Sequence, residues 1–203
     1  MKKIIFATSN EGKMKEIRAI LADTGYEIQS LKQARINTQI VEDGKTFEEN
    51  AMIKAETISR LPGMEDTIVL ADDSGLEVDY LGGAPGVYSA RFLGADTSYE
   101  YKNQYIINQL AAAKGDARSA RFVCVIACAR KGYPTLTTRA AIEGVIAEKP
   151  AGENGFGYDP IFYVPEYGCT TAELSPEVKN QISHRGKALK SMKDILLSKA
   201  SVN

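Results

Sequence analysis

The 203-residue chain is predicted to be an α/β protein built on a mixed sheet, and three features of its pattern point there. Strand-like and helix-like segments alternate through its first part. The continuous apolar run Thr67-Ile68-Val69-Leu70-Ala71 has the length and composition of a central strand covered on both faces. Two long β segments, Arg121 to Ala129 and Thr135 to Ile146, flank Lys131-Gly132-Tyr133-Pro134, a hairpin signal that a purely parallel sheet would not carry.

Each element has its own local cause. Lys3 to Ala7 is a short apolar strand, and Met14, Ile17 and Leu21 recur at helical spacing after it. Gly25-Tyr26-Glu27-Ile28 begins a second strand. Thr46-Phe47-Glu48-Glu49 is a capping box in which Thr46 caps and Glu49 reaches back to it. The helix it starts buries Phe47, Ala51, Ala55 and Ile58, while Asn50 and Lys54, one turn apart, share another face. The central apolar strand ends in Asp72 and Asp73. Gly82-Gly83-Ala84-Pro85-Gly86 is loop, and the segment to Arg91 is either structural or part of a site. Ser175-Pro176-Glu177 pairs an N-cap with a first-turn proline. A last helix, about Gly186 to Ser198, carries Leu189, Met192, Ile195 and Leu196 as its core stripe.

Composition narrows the function. At 44% hydrophobic, the chain has enough apolar residues for a core, in one domain (1–203) or one domain with two lobes. A net charge of −1 disfavours a nucleic-acid partner, which requires a strong basic field. The apolar run before Thr8 is too short for a signal core or a membrane span, so no membrane role is expected. Cys124, Cys128 and Cys169 are odd in number and lack CxxC spacing, which suits reduced thiols and a cytoplasmic setting.

Four segments together supply what a nucleoside triphosphate needs. Gly155-Phe156-Gly157-Tyr158-Asp159-Pro160-Ile161-Phe162 places aromatic rings and a carboxylate between glycines that admit close backbone approach. Thr8-Ser9-Asn10-Glu11-Gly12-Lys13 turns from a strand into a helix, where free N–H groups and the positive helix end collect. It lacks the P-loop pattern, and an ordinary capped turn fits it as well as a phosphate site does. Asp72 and Asp73 stand at a sheet rim where α/β proteins place ligands, and strand alternation sends only one of them into a site. A turn or N-cap carboxylate is the plainer assignment for Asp72, and a solvated loop for Glu42 and Asp43. His184, the single histidine, lies beside Arg185 at a helix start and is either structural or ligand-facing. Histidine-rich zinc chemistry and a serine triad are both disfavoured, for want of a second histidine and of a GxSxG elbow.

Taken in order, these motifs closely resemble the inosine/xanthosine triphosphate pyrophosphatases, the family that hydrolyses noncanonical purine nucleoside triphosphates. The resemblance runs from Lys3 to about Leu197. It rests on Ala7 to Asn10 with Lys13, Thr46 to Ala51 with Lys54, Ala71 to Gly75, Leu81 to Arg91, Gly155 to Phe162, and Ser183-His184-Arg185. Ser9 stands where many members carry glycine. The resemblance implies an elongated mixed sheet flanked by helices, two lobes with a central cleft, and a homodimer. It also implies Mg²⁺-dependent hydrolysis of ITP, dITP and XTP to the monophosphate and pyrophosphate. Asp73 would be proton acceptor and metal ligand, with Glu42 a second ligand. Thr8, Ser9, Asn10, Glu11, Gly12, Lys13 and Lys54 would hold the phosphates, and Ser74 would be a further substrate-binding residue. Phe156 would stack on the base, Gly157, Tyr158 and Asp159 would shape its pocket, and Lys179, His184 and Arg185 would read its edge.

The chemistry is self-consistent. Phosphoryl transfer needs positioning and charge neutralisation more than a covalent nucleophile. Donors aimed at a 6-keto oxygen would reject a 6-amino group at about 1–3 kcal/mol per unmet buried bond. Two rivals remain: a pyrophosphatase for another modified nucleotide, and a sensor that binds triphosphates without hydrolysing them. Carboxylates placed beside polyphosphate argue against the sensor.

Overall fold

The computed structural model describes residues 3–200, and the ends of the expected 1–203 domain lie outside them. The strands are β1 (Lys3–Phe6), β2 (Glu27–Ser30), β3 (Ile68–Val78), β4 (Ser119–Ala129), β5 (Leu136–Ile146), β6 (Phe162–Val164) and β7 (Cys169–Thr170). They form one sheet in the order β2-β1-β3-β4-β5-β6-β7. The helices are α1 (Glu11–Leu21), α2 (Phe47–Ser59), α3 (Tyr99–Gln109), α4 (Pro176–Ile182) and α5 (His184–Ala200). β1 runs parallel to β2 and β3, whereas β6 is antiparallel to β5 and β7, so the sheet is mixed as expected. Among the described residues no helix is long and apolar enough to cross a membrane.

The chain divides into two compact units. The first comprises the chain to Asp73, Cys124–Ala140 and the part from Arg185 on. Here the two faces of the sheet carry different helices. Ile4, Phe6 and Leu70 pack with Met14, Ile17 and Leu21 of α1 and with Ala188, Leu189, Met192 and Leu196 of α5. Residues of opposite parity on β5, with Thr135 just before it, show the alternation directly. Thr135 and Thr137 donate to Glu56 and Glu48 of α2, while Thr138 donates to the Ala188 carbonyl of α5. α2 begins at Thr46, whose Oγ1 accepts from Glu49 N at 3.1 Å. The box is modified: Glu49 accepts from Lys45 N, one residue before the cap. The α5 stripe also differs slightly, since Ile195 is half-buried.

The second unit holds Ser74–Val123 and Ala141–His184. Its core joins Leu76, Val78, Ile106, Leu110, Phe122, Ile142, Ile146, Ile161 and Phe162. The Phe122 and Phe162 rings lie 4.4 Å apart between centroids. Arg118 completes this core in an unusual way. Its buried guanidinium donates to the carbonyls of Leu110 and Ala113, past the end of α3, and to those of Ile146 and Ala147, at and just past the end of β5. The segment after Gly82 is tied in at Ser89, whose Oγ accepts from Leu76 N and donates to the Gly86 carbonyl.

The largest departure from expectation concerns β3. The strand does not end at Asp72 and Asp73 but runs on to Val78, so both carboxylates are mid-strand and buried. Charged residues interrupt an apolar run without breaking the ladder, provided they are compensated.

Arg118→Met should destabilise the protein by about 1–3 kcal/mol, because the carbonyls it serves would lose their donor while remaining buried. Arg118→Lys, with a single ammonium, should fall between the two. Urea midpoints followed by far-ultraviolet circular dichroism would check the order.

Candidate active site

In the first unit the site begins with strand alternation. Asp72 and Asp73 are adjacent on β3 and therefore face opposite sides. Asp72 turns toward α1 and α5. Lys13 Nζ lies 3.0 Å from its Oδ1 and 2.9 Å from its Oδ2, and Arg185 Nε and Nη2 lie 3.3 and 3.2 Å from Oδ2. Arg185 Nη1 donates to Glu16 of α1. Burial opposes ionisation of Asp72, but Lys13 and Arg185, with help from Lys54, outweigh it and hold the carboxyl well below the usual range. The Arg185 guanidinium, which the resemblance directs to a purine edge, is thus anchored on two carboxylates.

Asp73 turns toward α2. Its Oδ1 accepts from Lys54 Nζ at 2.8 Å and its Oδ2 from Asn50 Nδ2 at 3.3 Å. The same ammonium lies 3.0 Å from Glu42 Oε2, so two carboxylates share one cation. Burial is the larger influence on Asp73 and raises its carboxyl above the ordinary value, against the pull of Lys54. Burial alone would weaken the charge on Lys54, but Asp73, Asp72 and Glu42 carry its ammonium above the usual lysine value. Asp73 is therefore a stronger base than a free carboxylate, beside a firmly charged lysine.

The Thr8–Lys13 turn completes this group. Ala7 N donates to Leu70 O at 2.7 Å, which sets the end of β1 beside β3. Asn10 caps α1, its Oδ1 accepting from Lys13 N at 3.0 Å, and Thr8 Oγ1 accepts from Asn10 N. Ser9, Asn10 and Glu11 are exposed and Gly12 half-buried, so the N–H end of α1 opens to solvent. Ser74, half-buried, follows Asp73 along β3 as the first residue of the second unit.

In the second unit the aromatic loop is organised by Asp159. Its Oδ2 accepts from Phe156 N at 2.8 Å and from Lys179 Nζ at 2.7 Å, and its Oδ1 accepts from Thr171 Oγ1 at 2.8 Å. Lys179 Nζ stands 5.1 Å from the centroid of the half-buried Phe156 ring. Gly155 makes this possible: it sits at φ +77°, and a Cβ there would fall 2.9 Å from Lys179 Nζ. The Gly157 carbonyl accepts from Asn103 of α3. Tyr158 is buried, packed edge-on against Tyr99, and donates to the Ser89 carbonyl at 2.8 Å, so it fastens the loop from inside. His184 stacks on Phe122 with centroids 4.9 Å apart.

Apart from Ser74, which follows Asp73 along β3 into the second unit, the candidates from the sequence thus fall into two groups, each within one unit. Asn50, Glu16 and Thr171 were not among them. Asn50 had a signal in its one-turn spacing from Lys54. Thr171 had none.

Comparison with known proteins supplies the family. Residues 4–195 match the Ham1 family. The chain belongs to the Ham1 family. It is similar to a dITP/XTP pyrophosphatase of Bacillus licheniformis, 49% identical over 97% of this chain and 98% of that one. A dITP/XTP pyrophosphatase of Clostridium perfringens is 47% identical, with 97% and 98% covered. Among solved structures, a HAM1 protein from Coxiella burnetii superposes with a TM-score of 0.87 at 40% identity, over 98% of this chain and all of that one.

Within this Ham1 chain, Asp73 and Glu42 are the pair suited to a divalent cation. They offer hard oxygen donors and already share the cationic head of Lys54. Among the described residues no three acidic, cysteine or histidine side chains cluster as a ready cage. Mg²⁺ does not require one, since it usually takes one or two carboxylates together with substrate phosphates and water.

Asp72→Asn should cost about 3–5 kcal/mol of stability, because Lys13 and Arg185 would lose the charge that compensates them in a buried setting. The exposed partner in the Asp23–Lys193 pair offers the contrast: Asp23→Asn should leave the urea midpoint unchanged.

Proposed function

We propose that this Ham1 protein hydrolyses deaminated purine nucleoside triphosphates (ITP, dITP and XTP) to the monophosphate and pyrophosphate. The observation that carries the proposal is the buried Asp73, held between Lys54 and Asn50 and sharing Lys54 with Glu42. A basic carboxylate beside fixed positive charge is what activation of water near a polyphosphate requires. The names of relatives nearly half identical along the chain support the substrate class.

The proposed roles follow from the contacts. The phosphates lie against the Thr8–Lys13 turn, Lys13, Lys54 and Ser74, where helix N–H groups and ammonium charge offset theirs. Asp73 and Glu42 would hold Mg²⁺, which supplies charge neutralisation and lowers the pKa of water when bound. Asp73 takes a proton from the water whose oxygen bonds to the α-phosphorus, as the bridge to the β-phosphorus breaks and pyrophosphate leaves. Phe156 stacks on the base, with Lys179 fixed beside its ring by Asp159. Lys179, His184 and Arg185 read the purine edge, Arg185 from a guanidinium immobilised by Asp72 and Glu16. A keto oxygen at position 6 satisfies such donors, whereas an amino group confronts them with another donor. In the cell, the protein would act as a cytoplasmic homodimer whose 1–203 span forms one catalytic domain.

The decisive experiment is pyrophosphate release from ITP, dITP, XTP, ATP and GTP at equal concentration, with Mg²⁺ and with EDTA. Release from the first three, abolished by EDTA, is expected. Nucleotide binding without release would favour a sensor instead. Asp73→Asn should lower turnover by several orders of magnitude while dITP still binds, and retained full activity would remove Asp73 from the chemistry.

A further inference from the structure

What holds Asp73 in place can be traced one step beyond the carboxylate, on the basis of the hydrolase proposal above. Asn50 on α2 is completely buried, and a buried amide is tolerated only where its polar ends are bonded. Its Oδ1 accepts from Gly44 N at 2.9 Å, and its Nδ2 donates to Asp73 Oδ2 at 3.3 Å. Because the Gly44 N–H can only donate, the oxygen end of the amide must face it and the NH₂ end must face the carboxylate. Lys54, one helical turn along α2, binds the other oxygen of Asp73 and also Glu42.

The loop carrying Glu42 is consequently fastened to α2 first through Lys54 and second through Asn50, in addition to the contact of Lys45 N with Glu49. The second fastening depends on Gly44 having no side chain. A Cβ at that position would lie 2.6 Å from Asn50 Oδ1, 2.8 Å from Glu49 Cβ and 2.9 Å from Asn50 N. All of these are closer than real Cβ contacts, and the last is helix backbone that cannot yield cheaply.

We infer that Asn50 is a positioning residue for the hydrolysis: one amide orients Asp73 and, through the close approach of Gly44, ties it to the loop that presents Glu42. Residues that orient a metal-binding carboxylate typically change metal affinity or activity by about 10–100-fold when removed. Base recognition, by contrast, is assigned to Phe156, Lys179, His184 and Arg185, which stand outside the Gly44–Asn50–Asp73 linkage.

The test is a double-mutant cycle of Asn50→Ala and Gly44→Ala. It reads kcat and KM for dITP, Mn²⁺ binding by electron paramagnetic resonance without nucleotide, and the thermal midpoint. Each single variant should lose about 10–100-fold in kcat and bind Mn²⁺ correspondingly more weakly, with KM changed less than about threefold. The double variant should be no worse than the weaker single one, because both act through one linkage. Losses that multiply in the double variant would overturn the inference. So would normal kcat and Mn²⁺ binding with only the midpoint lowered, the signature of a packing role. Should Asn50→Ala fail to fold, Gly44→Ala decides alone on the kcat and Mn²⁺ criteria. Wild-type protein that releases no pyrophosphate would overturn the hydrolase proposal itself, a result separable from any effect of the variants.

Discussion

Two neighbouring carboxylates in the middle of a buried strand are the constraint around which the first unit is arranged. Taking one carboxylate out of water costs several kcal/mol, on the order of what a whole domain has to spare. Asp72 and Asp73 avoid that penalty because alternation sends them to opposite faces, where separate sets of cations meet them. Lys13 and Arg185 answer Asp72 from α1 and α5; Lys54 answers Asp73 from α2. The three helices are thus joined to β3 by charge, and α1 and α5 by apolar packing as well. Apolar replacement of such pairs is often neutral or stabilising, so stability alone does not account for their presence. The proposed chemistry does.

A similar economy appears in the second unit, with a different purpose. Asp159 fixes the backbone of Phe156, the ammonium of Lys179 and the hydroxyl of Thr171 at once. A ring and a cation held in this way lose little freedom on meeting a flat ligand, and preorganisation of that kind lowers the entropic cost of binding. Tyr158 contributes from the interior, by anchoring the loop to the Ser89 carbonyl.

Much of this was legible in the sequence, for physical reasons. Local signals were read well: the helix faces of α1 and α2, the Thr46 cap, the Ser175-Pro176 start of α4 and the β4–β5 hairpin all depend on neighbours in the chain. Failures arose where distant residues decide the outcome. The length of β3 was missed because buried charge imitates a strand end until its partners are known, and Arg185 lies 113 residues from Asp72. α3 was missed because Tyr99–Gln109 is polar and weakly periodic, its buried face including Lys102 and Asn103. Arg118 looks like a surface residue until four carbonyls converge on it. The site was visible as a set of motifs, but the supports behind it, Asn50, Glu16 and Thr171, are polar residues whose type predicts exposure.

Lys54 serves two carboxylates at once, Asp73 and Glu42. Its ammonium stands 2.8 Å from Asp73 Oδ1 and 3.0 Å from Glu42 Oε2, so one positive charge offsets part of the negative charge of both. Arginine would be a poorer choice, since its broad planar fork favours one carboxylate in bidentate fashion, whereas an ammonium is compact and its stem flexible. In the proposed reaction this lysine would turn from the carboxylates toward phosphate oxygens if a divalent cation took its place. The burial that raises Asp73 works in the same direction, because a carboxylate of higher basicity is a better acceptor for the proton of an attacking water. The features that make this strand expensive to fold are therefore the ones that equip it for the proposed hydrolysis.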